Sequence, residues 1–318
     1  MESDVHRVII DTDPGQDDAF ALLLAIASPD IEVIGVTTVA GNVPVAQTAD
    51  NARRIVELAG RPDIPVFAGA AGPILRAPRP VPEIHGDTGI DGWAWEPPAH
   101  PIRPQHAVDW MVETLLREPA GAVTLIALAP QTNLALALRR EPAIAARIRQ
   151  VVFMGGGYFE GGNMTPAAEY NILVDPEAAA IVLGAGMDVM AAPIDCTHSA
   201  PAPIDWSTQL EAMGTQVGRA CAGMMRFFER HGIAKYGTPT RPLHDAIAVG
   251  ALLWPDLFEG RRCPVEIECA GQLTTGMTVV DWLRQTGKAD NCLWLRRCLD
   301  PAELYRRMQV ELSRLPAT

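Results

Sequence analysis

Arg7-Val8-Ile9-Ile10-Asp11-Thr12-Asp13-Pro14-Gly15-Gln16-Asp17-Asp18, followed by the apolar run Ala19 to Ala27, is the stretch from which the fold is read. Arg7 to Ile10 is a β-branched run without polar alternation, the pattern of a strand buried on both faces. Asp17 to Ser28 has helical character and is stopped by Pro29. Between strand and helix, four carboxylates fall within eight residues. In an open α/β sheet, ligands bind outside the carboxyl ends of the strands, which is where this cluster stands.

The same alternation continues outward. A strand is expected over 31–39, a helix over 45–59 closed by Gly60, a strand over 65–67 and a helix over 106–117. Further buried strands are expected at 123–128 and 151–154, with a helical stretch between them. The C-terminal part predicts helices at 176–184, 216–230, 245–253 and 301–312, and short strands at 265–269, 277–281 and 293–296. Continuous apolar strands alternating with helices imply an α/β fold with an open, mostly parallel sheet covered by helices. No repeat, low-complexity tract or linker interrupts the chain, so residues 1–318 read as one domain. The segment 68–105, rich in Pro and Gly and holding Ile84-His85-Gly86-Asp87-Thr88-Gly89, is long for a connection and predicts an active-site flap.

Composition excludes several function classes. With 38 acidic and 26 basic residues the formal net charge is −12, and no basic run exceeds two residues, so nucleic acid is not an expected partner. An apolar fraction of 48% supports a large core and argues against disorder. Met1-Glu2-Ser3-Asp4 is acidic where a signal peptide is basic, and Ala19–Ala27 is under half a membrane span. The six cysteines contain no CxxC. Cys263 and Cys269 read as one face of a single strand-like run. Buried thiols of a cytoplasmic enzyme are the expectation, with no membrane partner.

Three ordinary explanations compete for the carboxylate cluster. Helix capping and the helix dipole account for Asp17 but not for Asp11 and Asp13 at the strand end. An EF-hand loop counted from Asp11 requires a carboxylate twelve positions on, where Leu22 stands. A Mg²⁺-dependent phosphohydrolase of the haloacid-dehalogenase type also starts with a strand ending in Asp-x-Asp, but Pro14 to Asp18 is not its continuation. Like charges this close need a cation or protons to offset their repulsion, which points to a hard, oxygen-ligated cation.

Asp11 to Asp18 resembles the N-terminal signature of the inosine–uridine-preferring nucleoside hydrolases. The likeness continues through Thr37-Thr38-Val39-Ala40-Gly41-Asn42 and Val151-Val152-Phe153-Met154-Gly155-Gly156-Gly157. It resumes at Asn163, Glu169-Tyr170-Asn171, Asp175-Pro176-Glu177-Ala178-Ala179 and His244-Asp245, so it spans nearly the whole chain. The resemblance implies cleavage of the N-glycosidic bond of purine or pyrimidine ribonucleosides with a bound Ca²⁺. It implies that Asp13, Asp18, Asp245 and the Leu128 carbonyl hold the ion, with the ribose diol and a water completing the shell. Asp13 is then the general base towards that water, and His244 the acid for the leaving base. Asp17, Asn42, Met154, Asn163, Glu169 and Asn171 contact the nucleoside, and Asp11 orients the cluster from behind. His85 in the flap reads as a contact to the base, an alternative acid or a plain loop residue. Family members are homodimers or homotetramers, which is the expectation here too.

The resemblance has departures. The helix before His244 carries Phe227, Phe228, His231 and Tyr236, with Phe228 and Gly232 at about the positions of the tyrosine pair of nonspecific members. Stacking on the base survives there, while hydrogen bonding to it does not follow. Trp93 and Trp95 either add stacking or pack the flap. Two other readings stay open: the phosphohydrolase, and a non-catalytic nucleoside-binding protein that has kept the pocket.

Overall fold

A computed structural model of the chain describes residues 5–237 and 241–316, without the side chains of His231, Lys235 and Tyr236. Met1 to Asp4 and the side chains of His231 and Tyr236, named above, lie outside the described residues. Strands β1 (His6–Thr12), β2 (Ile31–Thr38), β3 (Val66–Ala68), β4 (Val123–Ala127), β5 (Ile148–Met154), β6 (Val189–Ala192), β7 (Phe258–Cys263) and β10 (Cys292–Cys298) form one sheet. Its order is β3-β2-β1-β4-β5-β6-β10-β7, parallel throughout except for the antiparallel β10–β7 edge. A small antiparallel ribbon pairs β8 (Val265–Ile267) with β9 (Thr278–Val280). The open, mostly parallel α/β sheet expected from the sequence is the architecture found.

Side-chain alternation explains why the strands read as unbroken apolar runs. Val8 and Ile10 of β1, Ile126 of β4 and Val152 of β5 enter one core, while Ile9, Leu125 and Val151 enter the core on the opposite face. The first core is closed by α1 (Gln16–Ala27), α2 (Val45–Leu58), α9 (Trp206–Glu211), α10 (Gln216–Tyr236), α11 (His244–Leu253) and α12 (Pro301–Leu312). The second is closed by α4 (Ala107–Arg117), α5 (Thr132–Arg140) and α7 (Pro176–Leu183). Short helices α3 (Pro82–His85), α6 (Tyr170–Val174) and α8 (Ile194–Thr197) stand among the loops. Helices α1 and α11 are buried along almost their whole length and pack on each other, which explains why neither shows a polar face. Among the described residues no helix is long and apolar enough to cross a membrane.

Several local expectations change. Cys263 and Cys269 do not share a strand: Cys263 ends β7 opposite Cys292 of β10, and Cys269 lies beyond β8 in the other sheet. Pro264 breaks the run, because a proline removes a ladder donor. Five of the six thiols are buried, Cys269 being half-buried, and all are free. The edge strand β7, Phe-Glu-Gly-Arg-Arg-Cys, was not anticipated because its polar residues give it no apolar signal, and β6 is a four-residue strand hidden among alanines. Residues 68–105 hold little regular structure beyond α3, yet Val81, His85 and Ile90 within them are buried.

Candidate active site

The carboxyl ends of β1, β2, β4 and β5 open onto one cavity. Strand order runs from β1 to β2 on one side and from β1 to β4 on the other, so this is the switch point where α/β sheets leave a crevice. Its walls include Asp13, Asp17, Asn42, Leu128, Met154, Asn163, Glu169, Asn171, His244, Asp245 and His85. Every residue assigned by resemblance to the catalytic or nucleoside-contacting set therefore reaches one cavity, and Asp18 lies just behind its wall.

Two buried helix N-termini build the acidic centre. Asp17 and Asp18 occupy the first turn of α1, and His244 and Asp245 that of α11, where the positive ends of the helix dipoles favour carboxylates. Oxygens of Asp17, Asp18 and Asp245 lie within 4.8 Å of one another, and all three residues are buried. The sequence grouped Asp13 rather than Asp17 with Asp18 and Asp245; the structure places Asp13 on the same cavity wall and brings Asp17 into the triad. Asp18 is held from the motif itself, accepting from Thr12 Oγ1 and from Gly15 N at 2.9 Å. Asn42 straps the cluster together: its backbone N–H donates to Asp13 Oδ2 (2.7 Å), and its side chain to Asp13 O (3.1 Å) and Asp18 Oδ2 (3.3 Å). Gly41 is required for this approach, since a Cβ there would stand 1.8 Å from Asp13 Oδ2.

Burial first, and then mutual repulsion, pushes the Asp13 and Asp245 carboxyls well above their ordinary range and Asp17 up to about 7. Asp11 stands behind the cavity, where Thr37 Oγ1 (2.6 Å) and Asn133 Nδ2 (2.8 Å) donate to its Oδ1 while its Oδ2 is buried without a partner. Burial raises it to about 6. A buried, oxygen-only donor set that ionises against such a penalty is chemically fitted to a hard divalent cation.

The remaining wall is held by short polar links. Glu169 caps α6, accepting from Asn171 N (3.0 Å) and Gly156 N (2.9 Å), and burial lifts its carboxyl to about 7. Asn171 Nδ2 donates to the carbonyls of Leu128 (2.8 Å) and Met154 (3.2 Å), which ties the ends of β4 and β5 together. Asn163 Oδ1 accepts from Tyr170 N (3.0 Å). His244 is buried with Nδ1 2.7 Å from Thr197 Oγ1, and burial together with nearby His198 and Arg241 holds its imidazole well below the usual histidine range. Phe228 lines the cavity, whereas Trp93 and Trp95 do not; Trp95 donates its indole N–H to Ile90 O and packs the loop. Sequence reasoning passed over Gln16, Asn51, Asn133, Thr197 and Arg241. Asn51 was detectable as a polar residue on the apolar face of α2, and its side chain donates to the carbonyls of Pro14 (3.1 Å) and Thr88 (2.6 Å).

The family model for inosine–uridine-preferring nucleoside hydrolases matches residues 8–306. The chain belongs to that family. It is a nucleoside hydrolase, an enzyme that hydrolyses N-glycosyl bonds. An uncharacterised protein of Schizosaccharomyces pombe is 46% identical to it over 98% of this chain and 100% of its own length. The pyrimidine-specific ribonucleoside hydrolase RihA of Escherichia coli is 41% identical over 89% of this chain and 91% of its own. Among solved structures, the purine-preferring ribonucleoside hydrolase from Gardnerella vaginalis superimposes with a TM-score of 0.91 at 27% identity, covering 96% of this chain and 98% of that one. The nucleoside hydrolase reading thus has the fold and the family behind it, and the phosphohydrolase reading has neither.

Proposed function

We propose that the chain is a Ca²⁺-dependent ribonucleoside hydrolase that releases ribose and free base, with pyrimidine ribonucleosides preferred. The observation that carries this reading is the convergence of buried carboxylates from two helix N-termini on a cavity that Phe228 and Tyr170 also line. RihA's name and its 41% identity support the pyrimidine preference. Asp17, Asp18 and Asp245, with Asp13 and the Leu128 carbonyl beside them, would hold the ion. When bound, Ca²⁺ supplies the positive charge that acidifies water and anchors vicinal hydroxyls.

The chain's own groups divide the remaining work. Asp13, fixed through Oδ2 by Asn42, takes the proton of the attacking water as general base. Asp17, Asn163, Glu169 and Asn171 grip the ribose hydroxyls, while Asn42 and Met154 shape the wall beside them. Attack at C1′ passes through an oxocarbenium-like state, which the surrounding carboxylates stabilise electrostatically. His244, its Nδ1 2.7 Å from Thr197 Oγ1, is the proton donor for the departing base in its imidazolium form, which burial makes a strong acid. Phe228 backs the same wall, its ring stacked on His85 and lying beneath the Arg241 guanidinium.

Chelation followed by transfer to calcium-free buffer tests the reading. Release of free uracil from uridine is expected to stop and to return with Ca²⁺, with 2′-deoxyuridine a poor substrate throughout. Full turnover with no bound metal, or phosphate release from a nucleotide without free base, would overturn it. Tight binding of uridine without turnover would establish the binding-protein alternative.

A further inference from the structure

Gly155-Gly156-Gly157 follows the end of β5 and has no side chains of its own with which to hold a conformation. Its shape matters, because Gly156 N–H donates to Glu169 Oε2 (2.9 Å), the carboxylate that caps α6 and stands on the cavity wall. Gly156 has φ +80°, in the left-handed region that a residue with a Cβ resists. The hold comes from Thr278, 121 positions further along the chain. Its hydroxyl accepts from Gly157 N (3.0 Å) and donates to Gly157 O (2.6 Å), so one side chain grips both polar groups of a single residue. Thr278 is buried, and its methyl lies so close that a Cβ on Gly156 would stand 2.7 Å from Cγ2.

Thr278 opens β9, so the clamp belongs to the β8–β9 ribbon, which is separate from the main sheet. The ribbon meets the same wall at two further points. Gly276, at φ +81°, leads into β9 flush against α6: an added Cβ would lie 2.8 Å from Leu173 Cα and 3.1 Å from Ala168 Cβ. Just beyond β8, the Cys269 carbonyl accepts from Arg76 of the flap (2.7 Å), and Arg76 also pairs with Glu177 in the first turn of α7. One hairpin therefore reaches the glycine turn, the helix that carries Asn171, and the root of the flap. We propose that the β8–β9 ribbon braces the wall that grips the ribose, and that Thr278 is a positioning residue acting through Gly157 and Gly156 on Glu169. Thr278 stands behind the cavity wall and touches no substrate; it sets the aim of a carboxylate that does. A displacement of about 1 Å in such a group costs about a hundredfold in rate, which is what the clamp prevents. The effect on catalysis rests on the nucleoside reading, whereas the clamp itself does not.

Amide hydrogen exchange of the full-length, Ca²⁺-loaded protein tests the clamp without any substitution. Gly157 N–H should exchange as slowly as amides within β5, although it lies beyond the strand; exchange at the rate of exposed loop amides would overturn the proposal. Thr278→Val removes the hydroxyl at nearly constant volume. It should speed exchange at Gly157 about tenfold or more and lower kcat/KM for uridine about ten- to hundredfold. Thr278→Ser keeps the hydroxyl and should stay within about threefold of wild type on both measures. Because the action runs through Glu169, the losses should not add: in a Glu169→Gln background, Thr278→Val should cost less than about a further threefold. Persistence of the full penalty there, or equal losses from Thr278→Val and Thr278→Ser, would make Thr278 a packing residue and overturn the proposal. A wild-type protein that turns over no nucleoside would fail the nucleoside reading alone, since slow exchange at Gly157 does not depend on it. A wild-type protein that hydrolyses uridine no faster than Thr278→Val would fail the brace alone.

Discussion

Removing the cation should make the protein's stability fall as pH rises, and the geometry of the triad sets the size of the effect. Oxygens of Asp17, Asp18 and Asp245 lie within 4.8 Å of one another. Two unit charges at that distance repel by about 3.5 kcal/mol at an effective dielectric of about 20, so full ionisation of the triad costs about 10 kcal/mol. That matches the whole stability of a typical domain, about 5–15 kcal/mol. One retained proton leaves a single repelling pair in place of three, so the cation-free protein keeps at least one at neutral pH. The sign follows from linkage. A carboxyl whose folded-state value is raised holds its proton when the unfolded chain has already released it, so stability declines as pH climbs from the ordinary carboxylate range to the folded-state value. For Asp17 that window runs from 3.8 to about 7. Its shift corresponds to roughly 4 kcal/mol, or roughly 8 °C in melting temperature at about 2 °C per kcal/mol. The assay is thermal unfolding of chelated and Ca²⁺-replete protein from pH 4.5 to 8, paired with calorimetric Ca²⁺ titration in buffers of different ionisation enthalpy. The gap between the two melting curves should widen with pH, and Ca²⁺ binding near pH 6 should release about one proton or more. A gap that stays constant or narrows with pH, or Ca²⁺ binding without proton release, would refute the reasoning.

Further outcomes are expected from single substitutions. His244→Ala should lower kcat on uridine by about 10²–10⁴-fold and have a much smaller effect on a riboside with an activated leaving group; equal losses on both would remove the proton-donor role. Gly41→Ala drives a Cβ to 1.8 Å from Asp13 Oδ2, and a displacement of that carboxylate should cost about a hundredfold in kcat/KM while the circular dichroism spectrum stays native; near-normal activity would show that Asp13 tolerates movement. Asp195 accepts from Glu160 N (2.8 Å), Tyr158 N (3.0 Å) and Trp294 Nε1 (3.0 Å), so Asp195→Ala leaves the buried indole N–H and two part-buried backbone donors unpaired. Urea denaturation should show a loss of about 3 kcal/mol, and a loss under 1 kcal/mol would mean that water replaces the carboxylate.

How far the sequence could be read depended on whether a residue's partner was local. Strands β1, β2, β4 and β5 were legible because each feeds both cores and so carries an unbroken apolar run. Asp11 to Asp18 was legible because its density of charge has few cheap explanations. What stayed hidden was held by distant partners: β7 is paired only at its β10 edge and needs no apolar pattern, and Gln16 meets His85 across 69 positions of chain. The division of labour within the cluster was hidden for a related reason. Asp13 and Asp17 look equivalent in sequence, and only the backbone N–H of Asn42 draws Asp13 aside while the start of α1 turns Asp17 towards Asp245.

The acidic centre and the core are consequences of the same packing. Helices α1 and α11 are apolar nearly all round and lie buried against each other, which forces their first turns together. Those first turns carry Asp17, Asp18 and Asp245, so burying the two helices also buries the carboxylates and removes the water that would screen them. The helix dipoles offset part of the repulsion, at about 0.3–1 kcal/mol per charge and up to about 2 kcal/mol where partly buried, which is too little against about 10 kcal/mol. A divalent cation is the remaining means of ionising all three at neutral pH. The ionised carboxylates and the ion's charge are also what the proposed reaction needs, so the strain that weakens the empty fold is the same feature that equips the site for hydrolysis. A variant that relieves it, such as Asp17→Asn, should therefore stabilise the chelated protein at neutral pH and lose activity in the same step; a loss of both would separate the two roles and show that the cluster's repulsion is already relieved within the fold.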